Sequence, residues 1–293
     1  MTSDNVPCIV CRVEADLGGS LIATPNRTVA EMPTRQRMRA SVEQLSTGQG
    51  EALRASVGAM AALSDDRGYQ YFAGLHGGPP KSYCQHGTVD TLGRYHGAPL
   101  FLPWHRAYLH FLELAMQDRI AGVTIAWWDW TSPGSHSSGI PALYKGANNP
   151  LTSQPIAKGF TRPRGVRAQS WRDPSNPTEL PAAADVTRVL GLGSFQDFST
   201  QLEQQLHNKV HGWVGGAMGS VPTAAFDPVF YAHHTMVDRV WRLWQVHHGK
   251  PGPPASSWSA VLEPFPLTVG DVLDVAKLGY DYAATTTEVG GTS

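Results

Sequence analysis

Histidine falls inside a helical aromatic pattern at two places in this chain, FLPWHR (Phe101–Arg106) and DPVFYAHH (Asp227–His234). His76 and His96 precede the first, and His207 and His211 precede the second. Each cluster offers three imidazoles and almost no other metal-binding side chain. Neutral imidazole suits copper, zinc, iron and nickel, whereas calcium and magnesium want oxygen. Two such clusters point to a dinuclear centre, so the fold has to aim polar rings into its own core.

Helical periodicity shows how. Ser46 caps a helix that carries Leu53, Val57, Met60 and Ala61 and ends by Asp65. A second opens at Pro103, a suitable first-turn residue, and runs through Leu109, Leu112, Met116 and Ile120. His105 lies on the Leu109–Leu112 stripe and therefore faces inward. Phe198, Leu202, Leu206 and Val210 mark a third helix, which bears His207 and His211. The last has Asp227 as N-cap, Pro228 in its first turn and Gly249 as its stop, with Phe230, His234, Val237, Trp241 and Trp244 inward. Strands are weakly signalled, Val123–Trp128 being the best short candidate, and Thr131–Pro181 reads as long surface excursions. The expected fold is mainly α: a four-helix bundle with the metal site in its core, long loops and few short strands. It is expected to form a single domain over 1–293, with a core of about 38–282.

Composition narrows the partners. A net charge of −1 gives no electrostatic case for nucleic acid or an anionic membrane. No apolar run approaches the roughly 18 residues of a membrane span. MTSDNVPC has neither the basic nor the apolar region of a signal peptide, so a cytoplasmic protein is expected. Nine tryptophans among only 16% charged residues allow a large aromatic core. Cys8 and Cys11 form a C-x-x-C without the second pair a zinc site needs, and read as an incidental dithiol or local disulfide.

His207 and His211, four apart, project from one helix face and can grip one ion. The zinc-protease motif H-E-x-x-H is excluded, because HNKVH lacks the glutamate. His233 and His234 point about 100° apart on a helix, so only one should share that ion, leaving the other to line a pocket. His96, nine residues before His105, suits a loop folding back onto a helix start.

The stretches RYHGAPLFLPWHRAYLHFLE and LHNKVHGWVGG…DPVFYAHHTMVDRVW resemble the two copper signatures of the tyrosinase family of type 3 copper proteins, over roughly Met38 to Tyr282. That family includes tyrosinases, catechol oxidases, aminophenol oxidases and molluscan haemocyanin domains. The resemblance implies two copper ions per chain, with O2 as co-substrate. His76, His96 and His105 would hold the first ion, and His207, His211 and His234 the second. His86 is the alternative to His76, which is preferred for its FAGLHG context and its spacing to His96. Many members bond a nearby cysteine to the middle histidine of the first site. The C-Q-H at Cys84–His86 lacks the right distance to His105, so a Cys84-to-His96 bond, as in the plant form, is the version implied.

The same resemblance implies an oxidase that hydroxylates monophenols and oxidises o-diphenols to o-quinones. The alternatives are a catechol or o-aminophenol oxidase without the first step, and a haemocyanin-like oxygen carrier. Substrate would be a small phenol, and the family leaves room for a copper-delivery partner. Asn208, directly after His207, matches the asparagine that helps a glutamate hold a phenol-deprotonating water, and Glu203 is the matching acid. On a continuous helix Glu203 and His207 share a face. His233 is placed to stack on a substrate ring. Gly212 and Val221 are small and leave the mouth of the site open.

Overall fold

The computed structural model describes residues 36–77, 82–156 and 167–284. Cys8 and Cys11 lie outside them. Nine α-helices order the described chain: α1 (Thr47–Ala61), α2 (Tyr69–Gly77), α3 (Phe101–Gln117), α4 (Pro133–Ser138), α5 (Ala183–Leu190), α6 (Phe195–Gln201), α7 (Asn208–Val214), α8 (Val221–Ala224) and α9 (Val229–His248). Four short strands complete it: β1 (Arg37–Arg39), β2 (Thr88–Val89), β3 (Tyr95–His96) and β4 (Tyr280–Tyr282). The fold is thus mainly α. A bundle of α2, α3, α6–α7 and α9 surrounds the histidines, with α1 packed on α2 and α3.

Local chemistry sets the helix ends much as the sequence suggests. Ser46 caps α1 by accepting from the Gln49 N–H, while the Gln49 side chain accepts from the Ser46 N–H. Helix α3 starts at Phe101, two residues before Pro103, which still falls where a missing N–H costs nothing. Pro228 is the N-cap of α9, and the Asp227 carboxylate accepts the Val229 N–H at 3.0 Å. Gly249 ends α9 at φ +59°. One expectation changes: Val123–Trp128 forms no strand. Trp127 makes only an isolated bridge to Ser41, while the Trp128 N–H donates to Ala232. Tertiary burial of three tryptophans, Trp127, Trp128 and Trp130, replaces a ladder there.

Helix α6 does not run into α7 as a plain α-helix. Residues Leu202–His207 form a π turn, closed by the Asn208 N–H donating to Glu203 O. Such a turn adds a residue to the helical circuit and re-aims the side chains that follow it. Here those are His207 and Asn208.

Behind the bundle, β1 pairs in parallel with β4, Arg37 opposite Tyr280 and Arg39 opposite Tyr282. Arg39 is fully buried: its Nε donates to Glu113 at 2.9 Å and its guanidinium lies 3.6 Å over the Tyr280 ring. The Tyr280 hydroxyl donates to Asp238 at 2.7 Å, and Arg106 pairs with the same carboxylate at 2.5 Å. A buried charge left alone would cost several kcal/mol, but these are all paired. The network ties β1 and β4 to α3 and α9. No described helix is long and apolar enough to cross a membrane.

Candidate metal centre

Two groups of imidazoles meet in the core. His76 at the end of α2, His105 on α3 and His234 on α9 form one; His207, His211, His233 and His234 form the other. Within each, one nitrogen per ring lies within 4.8 Å of the rest. His234 belongs to both. Its ring stacks on His105 at 4.3 Å between centroids, and its Nε2 sits 3.2 Å from the Nε2 atoms of His207 and His211. Any side chain at Gly77, just after His76, would run into the Val221–Pro222 backbone, so glycine lets α2 and α8 close together there.

The protons on these rings are fixed from outside. Nδ1 of His76 donates to Val221 O (3.0 Å), that of His105 to Phe101 O (2.8 Å) and that of His211 to Met218 O (2.8 Å). His207 Nδ1 donates to Asn208 Oδ1 at 2.9 Å. Carbonyl oxygens only accept, so each Nδ1 carries the proton and each Nε2 presents a lone pair inward. The Nε2 atoms of His207 and His211 thus converge on His234 Nε2, which can donate to only one of them. Nδ1 of His234 and both ring nitrogens of His233 are buried with no hydrogen-bond partner. Burial holds every ring neutral: His105 falls to about 3 and His211 to about 4, and His76, His207, His233 and His234 drop well below the usual histidine range. Neutral imidazoles with converging lone pairs fit a soft-to-borderline metal pair.

Five of the six expected ligands therefore meet. The sixth, His96, does not. Its ring is 59% exposed and its Nε2 lies 3.0 Å from Asp90 Oδ2. The reason is an antiparallel hairpin in which Thr88 pairs with His96 and Val89 with Tyr95. The hairpin brings Gly87 against the end of β3, so closely that a Cβ on Gly87 would meet His96 O at 2.5 Å. Residues 88–97 thus leave the site and return to it. The nine-residue interval before His105 counts back into the hairpin, whereas His86, at its base, lines the cavity beside His76. His86 stands outside the tight group. Cys84 follows His86 and not His96: its Sγ is 3.8 Å from His105 Nε2, in a buried place that pushes the thiol pKa up. A Cys84-to-His96 bond does not match this arrangement.

A cavity of about 290 Å³ opens on the histidines from the hairpin side, large enough for one aromatic ring. Asn208, Gly212 and Val221 line it, together with His76, His207 and His211. Nothing lies within 4 Å of where a Gly212 side chain would begin, as expected of an open mouth. Two other expectations shift. His233 is fully buried, stacked on His207 at 5.2 Å, and is not on the cavity wall, so it offers no free face to a substrate. Both His233 and His234 lie against His207 and His211, where helical geometry had suggested one. Glu203 is also fully buried and off the wall. Its carboxylate accepts the N–H groups of Gly87 and Ala98, the two ends of the hairpin, while burial raises its pKa. Sequence reasoning missed Tyr95, which lines the cavity; its signal was only its place in RYHG.

A helical bundle with two converging all-histidine groups and a ring-sized cavity defines a dinuclear metalloprotein. The family model for the common central domain of tyrosinase matches residues 66–177 and 162–247. Units G and H of haemocyanin from Sepia officinalis are 32% identical over 249 residues, 81% of this chain but 44% of that relative. The tyrosinase of Streptomyces glaucescens is 34% identical over 180 residues, 52% of this chain and 65% of that one. The chain therefore spans less than half of the Sepia relative's length. An octopus haemocyanin functional unit superposes with a TM-score of 0.69 at 25% identity, covering 85% of this chain and 68% of that one. A Burkholderia thailandensis tyrosinase does so with 0.69 at 22%, covering 86% and 74%, a likeness of fold alone. This chain belongs to the tyrosinase family of type 3 copper proteins. Its cofactor is a pair of copper ions with O2, and the two histidine groups fit that pair.

Proposed function

We propose that this protein is a phenol oxidase that hydroxylates monophenols and oxidises o-diphenols to o-quinones. The observation that carries the reading is the cavity, which admits a ring to the inward side of His76, His207 and His211. Reversible oxygen carriage needs no such room. The first ion would be held by His76, His105 and, at the cavity wall, His86; the second by His207, His211 and His234, with His233 packed behind. Bound copper and O2 together supply the oxidising power. The chain's own residues do the rest. The carbonyls of Val221, Phe101 and Met218 keep the imidazole protons pointing outward, so the inner face holds only lone pairs. Asn208 faces the cavity while bonded to His207, placing an amide where a substrate hydroxyl arrives. A phenol has a pKa near 10, so taking its proton needs a nearby acceptor. The Glu203 carboxylate, behind the cavity-lining Gly87 whose N–H it accepts, is the acid of that region.

The likeness to haemocyanin units at 32% identity favours a second reading, an oxygen carrier. Oxygen consumption by the copper-loaded protein, with a panel of monophenols, catechols and o-aminophenols, separates the two. Steady consumption with quinone formation is expected. Oxygen uptake that reverses under vacuum, with every phenol left intact, would establish the carrier. Turnover of catechols or aminophenols alone would restrict the activity to the second step.

A further inference from the structure

A second cavity, of about 20 Å³, lies in the core between α1, α2, α3 and the start of α9. Val57 and Met60 of α1, Leu112 and Met116 of α3, Tyr69 of α2 and Tyr231 of α9 form much of its wall. Every residue on that wall is buried. The volume exceeds the roughly 10–15 Å³ that admits one water-sized molecule, and packed cores hold few voids so large. Water, however, needs about two to four polar partners. The Tyr69 hydroxyl donates to Ala225 O at 3.1 Å. The Tyr231 hydroxyl is paired with that of Tyr108 at 3.0 Å, and Tyr108 donates to Phe72 O. Tyr144 carries the remaining hydroxyl on the wall. One such group does not hold a water, so the cavity suits a small apolar molecule, to which the two methionines offer polarisable, adaptable surface.

This cavity reaches the metal centre through aromatic rings. Tyr231 on its wall meets Phe230 at 5.1 Å between centroids, and Phe230 lies 4.6 Å from His76 and 4.1 Å from His234. The larger cavity, which opens on His76, His207 and His211, shares no described lining residue with it. A ring bound in the larger cavity therefore leaves this second approach clear. We propose that the smaller cavity is a docking site for dioxygen, a small apolar gas, and supplies it to the metal pair through the Tyr231–Phe230 layer without using the larger cavity. Passage needs only a transient displacement of those two rings, of the kind packed side chains undergo. The inference holds for an oxidase and for an oxygen carrier alike, since both take up O2.

Xenon probes the site without any metal chemistry, and Val57 sets its size. Crystals of the copper-loaded protein under xenon pressure should show one xenon atom between Val57, Met60, Leu112 and Tyr231. Val57→Ile adds a methylene to the wall and should weaken xenon binding, followed by xenon nuclear magnetic resonance. The expected loss is about fivefold or more, the factor to which about 1 kcal/mol of overpacking corresponds. Val57→Ala enlarges the cavity and should tighten binding. Both substitutions disturb the packing, so effects of opposite sign separate cavity volume from general loosening. The rate at which the reduced, copper-loaded protein takes up O2 is then measured with saturating benzoate, an inert ring, in the larger cavity. It should fall by a similar factor in Val57→Ile and not in Val57→Ala. An ordered water in place of xenon, no xenon there at all, or an O2 uptake rate that Val57→Ile leaves unchanged would overturn the proposal.

Discussion

Arg106 and Asp238, joined at 2.5 Å in the core, each stand beside a histidine of the metal centre: Arg106 next to His105 on α3, and Asp238 one turn after His234 on α9. The pair fixes how the two helices slide against each other, and so fixes the 4.3 Å stack of His105 on His234. Asp238 also accepts from the Tyr280 and Tyr282 hydroxyls, which extends the lock to β4.

Asp238→Asn should therefore be costly. Removing one partner of a buried pair costs about 3–5 kcal/mol, because the other charge stays buried. For a chain of this size that lowers Tm by about 10 °C. Calorimetry should show the loss, and copper retention during dialysis should weaken with it. A Tm within 2 °C or so of the parent would mean that the pair does not set the helix register.

The ligand assignment predicts a contrast between two nearby histidines. His86→Ala should lower copper to about one ion per chain, since two imidazoles bind weakly. His96→Ala should keep about two. Metal analysis after removal of loose copper decides, and the reverse pattern would restore His96 as the ligand.

His234 is shared, which predicts a graded series. His105→Ala should lose about one ion, whereas His234→Ala should lose the second ion and also loosen the first, because the ring that stacks on His105 is gone. Equal losses from the two variants would place His234 in a single group.

Much of this was readable beforehand, and the failures share a cause. His105, His207, His211 and His234 announce themselves because helical spacing turns a polar ring inward among Leu109, Leu206 and Trp241. His96 misled because an interval along the chain is a distance only if the chain runs straight, and a ladder of two residue pairs takes residues 88–97 out of the path. The π turn at Leu202–His207 leaves no mark in the apolar pattern. Nor does Tyr95, which lines the cavity together with Asn208, more than 100 residues away in sequence.

His110 gives a pH dependence away from the metal. It is buried on α3 with Nδ1 unpartnered, and burial, then Arg39 and Arg37, lower its pKa to about 3. Its unfolded value is near 6.5, so between about 6.5 and 3 the unfolded chain takes a proton that the folded chain refuses. Stability is thus lost as pH falls through that window, by up to about 1.4 kcal/mol per pH unit from this group. Urea unfolding of copper-free protein between pH 7 and 4.5 should show a shallower slope for His110→Leu than for the parent. Parallel slopes would mean that His110 is protonated in the fold.

Glu203 grips the N–H groups of Gly87 and Ala98, so the ten residues between them begin and end at one buried carboxylate. A segment closed on itself can lengthen, shorten or change its tip without pulling on the helices that carry the histidines. Over generations, that makes residues 88–97 a position where a chain can trade one cover over its metal pocket for another, while the ions keep their seats.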